Sequence, residues 1–262
     1  MNHLFGKVSY LRLETAFKQG ETYLKDLSFT APFKVMTPFR KEDGAIEVML
    51  LSASAGILEG DLQKMEFIVR SGSRMSFSSQ SYEKIHRMEK GEASRTTIIT
   101  IEPDAFFFYR PLPTIPFAGS AFSADTEVAL SDTTAQFVYQ EILSCGRKCS
   151  GEAFAYRYYR SKIRVYQNDR LIFCDNTHFS PETQQLSGFG MYEGYSHLLT
   201  LLYFCDTVLE ERISQTREYF ETTGYDGGIS LLPYGGISIR VLGNSAQELE
   251  GCAQGLVAIL TE

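Results

Sequence analysis

The fold is decided by residues 53–95, which read ASAGILEGDLQKMEFIVRSGSRMSFSSQSYEKIHRMEKGEASR. Two runs inside this stretch, 62–69 and 74–80, send successive side chains to opposite faces with period two, which is the pattern of β-strands. The small polar residues at 71–73 predict a tight turn between the two runs. The stretch therefore predicts consecutive strands with no helix between them.

Polar groups gather where these strands begin and end. Gly56 and Gly60 allow the backbone to turn tightly before the first strand, which brings Asp61 to its beginning. The second strand leads into the polar segment 81–87. The candidate polar residues at these positions are Asp61, Gln80, Glu83 and His86. The arrangement indicates a site, but by itself it names no reaction.

Similar strand patterns continue on both sides of this stretch, and turn signals separate them at short intervals. The further predicted strands are 8–13, 21–30, 46–53, 94–101, 105–109, 121–130, 135–144, 152–167, 170–174 and 196–205. The run 152–167 is long enough to bend or break in its middle. This spacing predicts a sandwich, a barrel or stacked sheets rather than βαβ units, so we expect a mainly β fold.

The last part of the sequence carries two predicted helices. The first, Val208–Phe220, has an apolar stripe with charged residues outside it. The second, Ala246–Leu260, follows a capping box and repeats apolar residues at helical spacing. Between the helices, 227–232 and 236–242 are predicted to pair as strands. The two helices and the strand pair are expected to pack on the sheet.

The length of 262 residues allows one large core or two small ones. We expect a single domain over residues 1–262, with a β-rich part at 6–205 and a helix–strand–strand–helix tail at 206–262.

Charge and composition exclude several classes of protein. The formal net charge is −7 and the sequence has no run of Lys and Arg, which argues against nucleic acid as a partner. The longest apolar run, 198–205, is far shorter than the roughly 20 residues that span a bilayer. The first residues lack the features of a signal peptide, and the five cysteines include no CxxC pair. We therefore expect a cytoplasmic protein with reduced thiols.

Common catalytic motifs are missing from the sequence. It contains no HExxH zinc motif, no GxSxG nucleophile elbow and no phosphate-binding glycine loop. Carboxylates within or beside strands are the remaining candidates: Asp61, Glu141 and Asp175. Glu141 stands in the otherwise apolar run VYQEIL (138–143), where a charged side chain must be paired, hydrated or bound to a cation. A structural contact with Arg147, a ligand role, or the carboxylate pair of a glycosidase would each account for it.

The run Phe106–Tyr109 supplies four aromatic rings just before a proline-rich segment, RPLPTIPF at 110–117. The prolines disfavour a central strand and indicate an extended, rigid segment. We expect at least half of the rings to lie in the core; the alternative is an edge on which a partner docks.

Taken together, the motifs resemble those of the urease accessory protein family UreD, called UreH in Helicobacter-type operons. The resemblance runs from about residue 8 to the C-terminal helix, and SQSYEKIH (79–86) and DNT (175–177) are similar to the Helicobacter-like branch. The matching motifs are LSFTAPFKVMTPF at 27–39, Gly56 and Gly60-Asp61, Ser79-Gln80 with Lys84–Arg87, LPTIPF at 112–117, Glu141 with Gly146-Arg147, and GEAF at 151–154.

The resemblance implies a helicoid-like stack of antiparallel and mixed β-sheets with two C-terminal helices. It also implies a chaperone without catalytic activity. This chaperone would bind UreF directly and would form, with UreF and the GTPase UreG, a complex on apo-urease. Two copies per assembly, linked through a UreF dimer, are implied. Nickel would cross an internal polar channel to the urease active site, with no tightly bound cofactor. The runner-up is a carbohydrate-active or ligand-binding β-protein that uses its strand carboxylates.

The family likeness gives the candidate residues provisional roles. Asp61, Glu141 and Asp175 would contact nickel(II) transiently, because oxygen ligands release a metal that clustered His and Cys would retain. Gln80, Glu83, His86 and Arg147 would line the channel or serve structure. Leu249, Leu256 and Leu260 of the second helix would contribute to the partner surface; the alternative is that this helix only covers the sheet.

Overall fold

The computed structural model of the chain describes residues 8–206 and 210–261. The strands, in chain order, are β1 (Val8–Lys18), β2 (Glu21–Phe29), β3 (Phe33–Val35), β4 (Phe39–Arg40), β5 (Ile46–Ser52), β6 (Leu62–Val69), β7 (Arg74–Ser79), β8 (Glu83–Ile85), β9 (Ala93–Ile101), β10 (Phe106–Arg110), β11 (Thr114–Pro116), β12 (Ala121–Leu130), β13 (Gln136–Ser144), β14 (Gly146–Arg147), β15 (Glu152–Ala153), β16 (Tyr158–Gln167), β17 (Arg170–Phe179), β18 (His197–Phe204), β19 (Asp226–Leu231) and β20 (Ile237–Gly243). The helices are α1 (Glu210–Thr223) and α2 (Ala246–Thr261), with a 3₁₀ turn at Lys148–Ser150.

These strands form two large sheets and one small hairpin. Sheet I has seven strands in the order β17-β16-β12-β9-β6-β1-β2. Sheet II has eleven strands, eight of them in the order β19-β20-β18-β13-β10-β7-β5-β3, with β11 and β8 branching from β13 and with β4 beside β5. The pair β14–β15 forms the hairpin. The expected mainly β fold is confirmed.

The long strands between β5 and β16 alternate between the two sheets. Each parallel pair in sheet I is therefore joined through a strand of sheet II, and the chain winds around the space between the sheets. Parallel strands usually need a crossover helix, and here a strand of the opposite sheet replaces it. The strands of sheet I from β6 to β16 begin at residues 62, 93, 121 and 158, so the winding repeats although the sequence shows no fixed period.

The main core lies between the sheets, because each strand turns alternate side chains inward. Phe67 of sheet I packs edge-on against Phe77 of sheet II, with ring centroids 4.8 Å apart. A second cluster lies on the other face of sheet II, where α2 packs against β13, β18 and β20. A third cluster, which includes Ile85 and Phe122, lies at one end of the space between the sheets.

The predicted elements differ from the observed ones at their ends. The run 152–167 breaks at a turn after Ala153, and the strand expected at 170–174 continues to Phe179. Within the proline-rich segment, Thr114–Pro116 forms a short strand that pairs with both β8 and β13, although prolines disfavour this. The predicted start of the first helix, Val208, lies outside the described residues. Neither described helix is long and apolar enough to cross a membrane.

Candidate functional site

A band of polar side chains divides the space between the two sheets. Along β9 the inward positions are Ala93 in the third cluster, then Arg95 and Thr97, then Ile99 in the main core. On the neighbouring strands, the inward-facing side chains change from apolar to polar at the same height along the strands. We call this band the polar layer, and its members are Gln63, Glu83, Arg95, Thr97, Thr126, Glu141, Ser161 and Thr200, with the edge pair Asp175 and Arg240.

One half of the polar layer is organised around Arg95, which is 9% exposed. Its guanidinium donates to Gln63 Oε1 through Nε at 2.9 Å and Nη2 at 2.6 Å, and it forms an ion pair with Glu83. Burial alone would lower the pKa of Arg95, but the Glu83 carboxylate raises it. A buried cation is tolerated here because several acceptors surround it. This half is a closed, charge-balanced cluster.

The other half is organised around Glu141, whose carboxylate has only neutral donors. Glu141 Oε1 accepts hydrogen bonds from Tyr159 Oη at 2.7 Å and from Ser161 Oγ at 3.1 Å. Within residues 8–206 and 210–261, Glu141 forms no ion pair with a basic side chain. Burial raises the pKa of Glu141, and the two hydrogen bonds offset this only in part. Unlike Glu83, Glu141 therefore has no basic partner among the described residues.

The polar layer reaches the surface at the edge between β17 and β20. Asp175 is the cross-strand partner of the inward-facing Ile163, and it forms an ion pair with Arg240 of sheet II. The Asp175 charge also raises the pKa of Glu141, so the two carboxylates lie within electrostatic range of each other. Of the three predicted nickel contacts, these two belong to the same layer.

Two cavities adjoin the polar layer. The first, of about 180 Å³, is lined by Gln63, Gln80 and Glu83 and lies on the side where Gln80 is exposed. The second, of about 20 Å³, is lined by Glu83, Arg95, Tyr159 and Glu141 and has room for about one water molecule. Glu83 lines both cavities. Polar groups therefore run from one edge of the molecule to the other.

Asp61 does not join this layer but stabilises the turn that precedes β6. Its Oδ2 accepts the backbone N–H of Leu58 at 2.8 Å. The same turn depends on Gly56, which has φ of +148° and whose hypothetical Cβ would lie 2.3 Å from the Lys84 carbonyl oxygen. Only glycine allows this close approach. The predicted turn is therefore present, and the carboxylate of Asp61 stabilises it through the hydrogen bond from Leu58.

The remaining predicted polar residues have different surroundings. Glu83 lies in the polar layer, and Gln80 is exposed at the rim of the larger cavity. His86 Nε2 is 3.0 Å from the Ala55 carbonyl oxygen, and its ring meets Phe117 edge-on. The contact between Glu141 and Arg147 considered from the sequence is wrong. Arg147 Nε instead donates to Glu152 Oε2 at 2.8 Å, because β14 and β15 pair these residues directly.

The leucines expected at a partner surface are core residues. Leu249, Leu256 and Leu260 are at most 1% exposed, and they pack against sheet II in the second cluster. Their helical spacing gives α2 an apolar face, and sheet II of the same chain already covers that face. In this fold they are not available to a partner, and the alternative that α2 covers the sheet is the correct one.

Several members of the polar layer were missed from the sequence, above all Gln63, Arg95, Ser161 and Arg240. A signal exists for Gln63, Arg95 and Ser161, because each interrupts or begins an apolar series at an inward, period-two position, whereas Arg240 has only Ser238 and Leu242 beside it on its face of β20. Arg95 precedes Thr97, Ile99 and Ile101 on one face of β9, for example. The sequence alone does not say that such interruptions on different strands lie at the same level.

The described residues contain no group of three or more His, Cys, Asp or Glu side chains that could hold a metal ion. The strand carboxylates also do not share an open cleft. Asp61 is in a turn, Asp175 is paired with Arg240, and the cavity beside Glu141 is far too small for a sugar ring. This arrangement disfavours a glycosidase, which needs two carboxyl groups flanking one substrate bond.

Comparisons with known proteins identify what the chain is similar to. The sequence model of the UreD urease accessory protein family matches residues 7–262. The urease accessory protein UreD of Acetivibrio thermocellus is 40% identical over 252 residues, which cover 95% of this chain and 96% of that protein. UreH of Helicobacter hepaticus is 35% identical over 246 residues, 94% of this chain and 95% of its own length. UreH of Helicobacter pylori strain J99 is 32% identical over 260 residues, 98% and 97% of the two chains.

Proposed function

Because the chain belongs to the UreD family of urease accessory proteins, it has a role in urease maturation, and we propose that it acts there as a chaperone without catalytic activity. In this proposal the protein binds UreF directly and, with UreG, forms a complex on apo-urease in the cytoplasm. Two copies per assembly are linked through a UreF dimer. No cofactor is tightly bound, and nickel(II) is the cargo.

The observation that carries the nickel proposal is the polar layer, in which Glu141 has no cationic partner among the residues that the structure describes. Protein interiors bury carboxylates only when these are paired, hydrogen-bonded or bound to a cation. Glu141 has two hydroxyl donors, a nearby Asp175 and a small adjoining cavity. These groups support a pathway on which Ni²⁺ binds the Glu141 carboxylate transiently and passes towards the edge at Asp175.

The chemistry of the donors suits a pathway better than a storage site. Carboxylate, hydroxyl and amide oxygens bind Ni²⁺ more weakly than clustered imidazole and thiolate ligands do. The Arg95 guanidinium repels cations, and Glu83 balances its charge beside the small cavity. A cation would therefore pass along the carboxylate side of the layer without being retained.

The test is co-purification of this chain with UreF and UreG of its own operon, followed by nickel-dependent activation of apo-urease. We expect a stable complex whose activation of urease requires this chain. Glu141→Ala should keep the complex and lower activation by about tenfold or more, the size of effect that groups around a metal typically have. The control is Glu127→Ala, which removes an exposed carboxylate from β12, outside the polar layer.

The outcomes separate the two parts of the proposal. Full activation by Glu141→Ala would refute passage along the polar layer and leave the chaperone role intact. A folded wild-type chain that forms no complex and activates no urease would refute the chaperone role itself.

A further inference from the structure

Helices cover only half of the outer face of sheet II. α2 packs over β13, β18 and β20, whereas the neighbouring parallel strands β10 and β7 lie beyond it. Parallel strands are normally buried on both faces. On β10 the inward rings Phe107 and Tyr109 lie in the main core, while Phe106 and Phe108 point to the outer face and are only partly buried. Among the described residues, β10 and β7 are therefore parallel strands whose outer face no helix covers as α2 covers β13.

A groove follows the boundary between α2 and these strands. Its volume is about 470 Å³, with Phe106 and Phe108 along one side and Val257 and Ala258 of α2 along the other. A second cavity of about 340 Å³ adjoins it and shares Arg74, Phe106 and Thr261. Together the two cavities form an elongated depression parallel to the helix, which fits a segment of polypeptide better than a compact ligand.

One polar side chain in the groove, Ser76, is buried without a hydrogen-bond partner in the described part of the chain. Ser76 and Gln140 line the groove, and each is 7% exposed. Among the described residues, Ser76 Oγ is buried and has no hydrogen-bond partner. Buried polar groups are nearly always hydrogen-bonded, and an unpaired one is costly. The Ser76 hydroxyl is therefore suited to a donor or acceptor that arrives from outside, beside the Gln140 amide.

The charges at the groove indicate the chemistry of what binds there. Of the charged side chains that line it, Lys41, Arg74 and Arg110 are basic, and Asp43 and Glu250 are acidic. The whole chain has the opposite balance, with 25 basic and 32 acidic residues. Lys41 and Arg110 are both paired with Glu47, so Arg74 is the cation on which the argument depends. Arg74 stacks over Phe106, and its ion-pair contact within the described residues is with Asp43 at 3.7 Å, which leaves guanidinium donors for an outside group. An acidic group on the bound segment would pair with them.

We propose that this groove binds an amphipathic helix of a partner protein, laid beside α2 so that the helical layer extends over β10 and β7. Its apolar side chains would pack on Phe106, Phe108 and Val257, as helices do in hydrophobic grooves. A polar side chain on the same face would bond Ser76 and Gln140, and an acidic residue would face Arg74. The inference rests on the proposed function in one respect, that the partner is one of the urease maturation proteins.

The experiment measures the affinity of UreF, UreG and apo-urease separately for the wild-type chain and for groove variants. Ala258→Trp fills the groove from an exposed position of α2, so the fold is retained. Ser76→Ala removes a hydroxyl that has no partner in the isolated chain. Ile98→Ser is the matched control, because it removes a half-exposed apolar side chain from the outer face of sheet I, on the other side of the molecule.

We expect one of the three partners to bind Ala258→Trp at least tenfold more weakly, with the other two unaffected. Ser76→Ala should weaken the same partner by about tenfold, the size of one hydrogen bond, while the midpoint of its urea unfolding does not fall. Arg74→Glu should weaken it further at low salt. Hydrogen exchange in that complex should slow in α2 and β10 and remain unchanged in β17.

Unchanged affinity of all three groove variants for every partner would overturn the inference, even though the wild-type complex forms. Occupation of the groove by a small organic acid, or by a second copy of the chain while partner binding is unaffected, would overturn it as well. If the wild-type chain binds none of the three proteins, the proposed function fails first and the inference fails with it.

Discussion

Glu14 is buried and Glu141 is half-buried, and the protein surrounds the two carboxylates differently. On β1, Glu14 is 5% exposed and contacts three basic side chains: Lys25 Nζ at 2.8 Å, Arg70 Nη2 at 2.9 Å and Arg12 Nη2 at 3.0 Å. In the polar layer, Glu141 contacts hydroxyl groups only. The pKa of Glu14 is lowered to about 2 by Lys25 and Arg70, whereas burial raises the pKa of Glu141.

The difference separates a structural carboxylate from one that can bind a cation. The charge of Glu14 is balanced within the chain, so this residue ties β1 to β2 and to the turn after β6. No basic side chain of residues 8–206 and 210–261 forms an ion pair with Glu141, and a protein that needed only stability would fill that position with an apolar side chain. Glu83 resembles Glu14 in this respect, because Arg95 balances it inside the same polar layer.

Removing the cation that pairs with Glu83 should have the largest effect on the free energy of unfolding. Glu83 would then lack the charge balance that it shares with Glu14. Arg95→Ala leaves the Glu83 carboxylate and the Gln63 amide without their partner, so we expect the free energy of unfolding to fall by about 3 kcal/mol. Urea denaturation at pH 7 measures it. The control is Arg164→Ala, which removes an arginine paired with Asp125 on the outside of sheet I and should cost less than about 1 kcal/mol. Equal losses in the two variants would mean that Arg95 is not a buried, required cation.

Neutralising Glu14 should have an intermediate effect that depends on pH. The folded pKa of Glu14, about 2, lies below its ordinary value of 4.5. Its contribution is therefore present above about pH 4.5 and is lost as the pH falls towards 2. Glu14→Gln should be less stable than wild type by about 1–2 kcal/mol at pH 7, because its partners are partly exposed, and the difference should shrink below pH 4.5. A difference that stays constant down to pH 2.5 would show that the ion pairs are not its source.

Neutralising Glu141 should have the smallest effect on stability, with the opposite dependence on pH. Since the folded pKa of Glu141 is raised above 4.5, its contribution is present in full below about pH 4.5 and is lost as the pH rises through the folded value. Glu141→Gln should therefore gain stability relative to wild type between pH 4.5 and 8. Melting temperatures of both proteins across this range provide the measurement. A relative loss of stability at high pH would reveal a cationic partner of Glu141 and remove the distinction from Glu14.

Much of the local structure was predictable from the sequence. The strands of the opening stretch, the turn that needs Gly56 and the capping box of α2 follow from period-two alternation, glycine geometry and side-chain capping, which act over a few residues. Ser245 Oγ does accept the Glu248 N–H at 3.1 Å. The membership of the family also followed from short motifs in a fixed order. Glu141 was singled out from the sequence because a charge within an apolar strand conflicts with burial whatever the fold, and its role stays a prediction.

The partners of these residues depended on tertiary structure. Arg147 is near Glu141 in the sequence, but in the β14–β15 hairpin it forms its ion pair with Glu152 instead. The leucines of α2 formed an apolar face that could have met another protein, and only packing against sheet II showed that the chain covers it itself.

The polar layer has the same origin, since Arg95, Glu141 and Ser161 lie on strands far apart in the chain and meet because the backbone winds between two sheets. Sequence determined which side chains face inward, through the alternation of each strand. Tertiary structure decided which inward positions share a level, because the register between strands is set by packing over the whole sheet.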